Sequence, residues 1–142
     1  MQLPSLALLL AGCTVALPAT PDAGPCQAAP DYFASDVWPR YLAATSCGLA
    51  GSCHDFSDGH GYFRLRVPEP VPPFPGLPID AWPIGWRENY LAAIQLLDCT
   101  QPLASRLLTV PEGLADPHPP GPVVRDRATA ATVLQTWVAG GQ

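Results

Sequence analysis

The chain has 142 residues and a formal net charge of −5, with 12 acidic side chains against 7 basic ones. All the basic residues are arginines, scattered along the chain, so there is no basic stripe to follow a phosphate backbone, and nucleic acid is excluded as a partner. The length has room for one domain once the N-terminal part is discounted.

The opening "MQLPSLALLLAGC" is an apolar run over residues 6–11, then small residues and a cysteine. It reads as a secretion signal, too short to span a bilayer, although no Lys or Arg precedes it. Leu10-Ala11-Gly12-Cys13 resembles the bacterial lipobox, which implies a signal peptide over residues 1–12 and lipidation of the Cys13 thiol at a new N-terminus. A buried N-terminal helix is the other reading, but no polar face accompanies the apolar residues. Residues 13–30 are rich in Pro, Ala and Thr without period and read as a flexible tether. The folded domain is then expected over residues 31–142, about 110 residues, enough for a small core.

Ser35 or Asp36 is placed to cap a helix with Pro39 in its first turn. Val37, Tyr41 and Leu42 share one side beside Trp38, and the helix is expected to run into Cys47, with Gly48 and Gly51 ending it. "YFRLRV" alternates enough for a short strand or extended arm. Residues 68–83 carry seven prolines and must form an extended loop. It could serve as a ligand for a partner module or pack Phe74, Leu77, Ile79 and Trp82 onto the domain. Tyr90, Ile94 and Leu97 then recur at helical spacing beside Leu91, and Pro102 suits a first helical turn. Past the Pro- and Gly-rich loop holding His118, Asp126 caps a last helix whose apolar face is Ala130, Val133, Leu134, Trp137 and Val138, stopped by Gly140 and Gly141. The fold class is therefore mainly α, a small helical domain with long Pro-rich irregular loops.

The order of these pieces resembles the divergent, planctomycete-type c-type cytochrome domains carried on bacterial lipoproteins. "VWPRYLAATSC" leads into a widened cysteine pair that ends in Cys53-His54. Pro102, Ser105, Leu107 and Leu108 follow a Pro-x-x-Ser-x-Leu-Leu pattern, and "LQTWVAGG" supplies the closing helix. The resemblance covers roughly residues 33–141. It implies a cytochrome c-like fold with one covalent haem c, and an electron carrier more than an enzyme, facing the periplasm or on the outer membrane through its lipid anchor, with a redox protein as possible partner.

On that reading Cys47 and Cys53 form the haem thioethers and His54, next in sequence, is the proximal iron ligand. Two residues normally separate such cysteines; here five do, and Gly48 and Gly51 would let the excess loop out. The only methionine is Met1, lost with the signal, so a Met/His iron is excluded. His118, just before the last helix, is the first candidate for the distal ligand and His60 the second; a five-coordinate iron stays open. Bis-histidine ligation favours electron transfer at lowered potential.

Other readings use the same residues. A Cys47 to Cys53 disulfide could close a small loop in a haem-free lipoprotein of the same fold, serving as a binding or structural module. A Cys26 to Cys99 bridge is expected in that case and in the haem case alike. Cys47, Cys53 and His54 with His60 or His118 could hold zinc or copper, though without the usual zinc spacings. Asp55 and Asp58 fall short of a calcium loop, and nothing marks one cysteine as a hydrolase nucleophile. Trp38 and Trp137 read as core, and Arg64 and Arg66 as solvated or as partners of haem propionates.

Overall fold

The structure is a computed structural model that describes residues 26–45, 47, 50–57, 62–115, 118 and 121–141. The expected signal peptide, the expected lipidation site Cys13 and residues 13–25 of the expected tether lie outside them, as do Gly48, Asp58 and His60.

Pro30 opens helix α1 (Pro30–Tyr32), where its fixed φ suits a first turn and its missing N–H leaves nothing unpaired. The chain continues directly as a π-helical stretch (Phe33–Leu42) with Pro39 inside it. In α geometry a proline ring collides with the carbonyl four residues back; here the winding is wider, and Ala43 N–H donates to Trp38 O at 2.8 Å. Ser35 and Asp36 therefore sit within the helix rather than capping it, and Asp36 pairs with Arg40 one turn on, at 2.9 Å. The helix also stops at Leu42, short of Cys47. Thr45 ends it by donating its hydroxyl to Tyr41 O (2.9 Å), and Cys47 N–H closes back on Leu42 O (3.1 Å).

Helix α2 (Ile84–Ile94) follows Pro83, α3 (Arg106–Thr109) follows a 3₁₀ turn at Pro102–Ala104, and α4 (Arg127–Val138) closes the fold. Asp126 caps α4 as expected, its carboxylate accepting from Thr129 N–H at 3.1 Å. Gly140 and Gly141 follow with φ of 97° and 74°, in the left-handed region that stops a helix. At Gly141 a Cβ would lie 2.8 Å from Tyr32 Cβ, so this position needs glycine for space as well as for conformation. Among the described residues there is no strand, only an isolated parallel bridge between Asp55 and Leu65. The fold is mainly α.

Helix α4 packs on the π-helical stretch and on the Pro102–Ala104 turn. Between them lies an aromatic core: Phe33 meets Tyr90 edge-on at 5.5 Å and Trp137 at 5.5 Å, and Trp38 meets Trp86 edge-on at 6.0 Å. Trp137 is 0 % exposed and Trp38 is buried, so both are core residues. Their neighbours' polar tips are satisfied by backbone: Tyr90 Oη donates to Ala28 O (2.8 Å) and Trp137 Nε1 to Ala29 O (2.9 Å). Cys26 is joined by a disulfide to Cys99, and Ala28 is buried. Packed chain thus begins ahead of Asp31, and residues 26–30 belong to the domain rather than to a flexible tether.

The Pro-rich loop packs Leu77, Ile79 and Trp82 against the core, and Trp82 Nε1 donates to Leu77 O at 2.9 Å. Phe74 does not join them. A tight turn through Gly76 (φ 77°), closed by Leu77 N–H on Phe74 O, leaves the Phe74 ring 76 % exposed.

Candidate functional site

An apolar cavity of about 240 Å³ opens between the end of the π-helical stretch, the segment around His54, and the chain that follows α2. Tyr41, Leu42, Cys47, Phe63, Leu96, Leu107, Val110 and Pro111 form its walls; His54 and His118 face into it, and Tyr62 and Arg106 complete the lining. Tyr41 is fixed by donating its hydroxyl to Leu107 O at 2.5 Å, and burial raises its phenol far above the usual range.

His54 is placed by a relay of backbone contacts that begins in α2. Asn89, fully buried, accepts from Arg66 N–H (2.7 Å) and donates to Arg66 O (2.8 Å), pairing with the extended arm as a neighbouring strand would. The arm's other edge is held by Leu65 N–H on His54 O (2.7 Å) and Phe56 N–H on Leu65 O (2.8 Å). Phe63 O, on the same arm, then receives His54 Nδ1 at 2.8 Å, and the Phe63 ring lies edge-on to the imidazole at 5.2 Å. His118 Nδ1 meets Gly121 O at 3.1 Å. A carbonyl can only accept, so each Nδ1 donates its N–H, which leaves Nε2 as the ring nitrogen that could meet a ligand. Backbone or carboxylate anchoring of one ring nitrogen is what orients a metal-bound histidine.

The two imidazole centroids are 6.1 Å apart, with 34° between the ring planes. A metal ion between two imidazoles, at about 2.0–2.1 Å from each nitrogen, puts the ring centres about 6 Å apart. The spacing of His54 and His118 matches that figure.

Of the two expected thioether cysteines, Cys47 lies in the cavity wall, while Cys53 is exposed and outside the lining. Both are free thiols, so the stapling disulfide between them is not formed. Burial pushes the Cys47 thiol up, opposed by its contact with Thr45 Oγ1 at 2.9 Å, and Cys53 is near enough to add to the rise. Among the described residues no three His, Cys, Asp or Glu side chains gather as a metal cage; His60 of the zinc or copper set lies outside them. Asp55 spends its carboxylate on Gly51 N–H (2.8 Å) and Ser57 N–H (3.2 Å), tightening the loop that holds Cys53. Arg66 pairs with Glu88 and lies 3.5 Å over the Phe56 ring, which turns it away from the cavity; Arg64 donates to Asp55 O at 3.2 Å.

Sequence reasoning missed Asn89, Phe63 and Arg106. Asn89 sits at helical spacing among apolar residues, and a polar side chain on a buried face was the available signal. The comparisons with known proteins add no relative: no family model, no curated protein and no solved structure matches the chain.

Proposed function

We propose that the cavity takes one haem c, which His54 and His118 would hold through the iron, and that the protein is an electron-transfer module of cytochrome c type. The observation that carries this reading is the pair of backbone-anchored imidazoles at 6.1 Å across an apolar cavity. The donor set fits the group in part: two imidazole nitrogens, apolar walls that would cover part of a flat macrocycle, and one of the two cysteines in the wall. The bound group would supply a one-electron couple, and His54 and His118 as its two nitrogen ligands would favour electron transfer over oxygen chemistry.

The residues of the chain have separate tasks. Phe63 O and Gly121 O hold the two imidazoles in the Nδ1–H tautomer. The Tyr41 hydroxyl, turned onto Leu107 O, keeps its polar end satisfied while its ring lines the wall. Cys47 and Cys53 would hold the group covalently, each as a thioether formed by adding its S–H to a vinyl group. That addition is redox-neutral and retains the full haem mass. The free thiols favour this reading over the haem-free, disulfide-closed lipoprotein. The lipobox at Cys13 adds a membrane anchor to the proposal; no helix among the described residues is long and apolar enough to cross a membrane.

The test is direct. Protein produced in a host that matures c-type cytochromes should show a Soret band and a mass increase of one haem that survives denaturation. A colourless chain of unmodified mass overturns the reading. His118→Ala should shift the reduced spectrum to that of an iron lacking one nitrogen ligand, and an unchanged spectrum removes His118 from the iron.

A further inference from the structure

We infer that Glu112 is a positioning residue for His118: its buried carboxylate, paired with Arg127 at the start of α4, holds the loop that carries His118 and so keeps that imidazole opposite His54. The inference rests on the haem reading for the role of His118, while the ion pair itself stands apart from that reading.

The contact of His118 with Gly121 O, at 3.1 Å, lies within its own loop and orients the ring there. The place of that loop on the fold is set by its neck. Val123 N–H donates to Pro111 O at 2.9 Å, drawing the two ends together, and Gly113 turns beside them with φ of 71°, Pro122 Cγ lying 3.4 Å from where a Cβ would stand. Towards α3 the neck is joined by backbone, Glu112 N–H on Leu108 O at 3.2 Å and Gly113 N–H on Val110 O at 2.9 Å. Towards α4 it is joined by charge, with Glu112 Oε1 at 2.8 Å from Arg127 Nε.

The Glu112 side chain is 7 % exposed, against 57 % for Arg127. Among the described residues neither Glu112 carboxylate oxygen has a hydrogen-bond partner, so the guanidinium approaches out of line with a hydrogen bond and acts through its charge. A carboxylate enclosed in this way depends on its counter-charge, because removing the partner leaves a buried charge uncompensated. The place of Arg127 points the same way. A cation in the first turn of a helix is opposed by the helix dipole, so α4 gains nothing from an arginine there, and its use is the pair with Glu112. Burial raises the Tyr41 phenol and the charges of Cys47 and Glu112 add to the rise, so the carboxylate stands close behind the wall that Tyr41 forms. Val110 and Pro111, directly before Glu112, are part of that wall.

The experiment uses the full chain, produced with haem and without it. In the haem-loaded protein, added imidazole competes with His118 for the iron, and its affinity is read from the ferric absorption spectrum. Glu112→Gln should raise that affinity about tenfold or more, toward the value of His118→Ala, because a competitor binds in proportion to the fraction of chains in which His118 is displaced. Arg127→Lys keeps the charge and should stay near wild type. A Glu112→Gln chain with wild-type imidazole affinity overturns the inference and leaves the haem reading standing. His118→Ala with wild-type affinity, or a wild-type chain that takes up no haem, overturns both. In the haem-free chain, Arg127→Gln should melt below wild type and below the double variant Glu112→Gln/Arg127→Gln, since the single change strands the buried carboxylate and the double removes it. Losses that simply add in the double variant show two residues acting separately and overturn the inference without reference to haem.

Discussion

Asn89 is a polar side chain in a fully buried position, and it stays there because both halves of its amide are matched by the backbone of Arg66. Asn89→Ala would strand a buried N–H and a buried carbonyl, at a cost of about 2–4 kcal/mol for the pair. It should lower the melting temperature and also loosen His54, which hangs from the same arm, so on the proposed haem reading porphyrin affinity should fall with stability. Denaturant unfolding and a porphyrin titration on one preparation check both. The two thiols differ as sharply. With Cys53 exposed and Cys47 partly enclosed and raised by burial, iodoacetamide at neutral pH should label Cys53 about tenfold faster or more in haem-free protein, measured by peptide mass. Equal rates would mean that Cys47 is not held in the wall.

At the scale of elements, the last helix shows what local chemistry can specify. Asp126 at the N-cap, apolar residues at helical spacing and two glycines at the end were all legible in the sequence, and each has the expected place. Asp126→Ala should lower stability through the lost bond to Thr129 N–H, read as a drop in denaturant midpoint with unchanged slope. The first helix misled because its start is set by Pro30 and its winding by Pro39, whereas Ser35 and Asp36 carry cap-like side chains that the structure uses on the helix surface. The extended arm was legible only as a choice between strand and coil. A side chain 23 positions later decides it, which no local window contains.

For the whole molecule, the Cys26 to Cys99 bridge closes a loop with a sequence separation of 73. In the chain-entropy picture such a crosslink is worth about 4 kcal/mol, so reduction should lower the melting temperature markedly while leaving the aromatic core intact at low temperature. The pH dependence has two limbs. Asp36, Asp98 and Asp126 are held below the usual carboxylate range by hydrogen bonds, so their folded pKa is depressed; their contribution is present above about pH 4 and is lost as pH falls through the depressed values. Tyr41 and Cys47 are raised by burial, so their contribution is present below the ordinary thiol and phenol values and is lost as pH rises past about 9 to 10. Thermal melts across pH should show a plateau between these limbs, with the alkaline fall reduced in Tyr41→Phe.

The sequence by itself determined the helical class, the irregular course of the Pro-rich loop, the capped last helix and the candidate chemistry of Cys47, Cys53, His54 and His118, because each rests on residue type and short-range spacing. Tertiary structure alone decided that His54 and His118, 64 positions apart in sequence, stand 6.1 Å from each other, that Cys47 enters the cavity wall while Cys53 does not, and that Arg106 shares the cavity. Those outcomes depend on which surfaces the aromatic core pulls together and on backbone carbonyls that only the packed chain can aim.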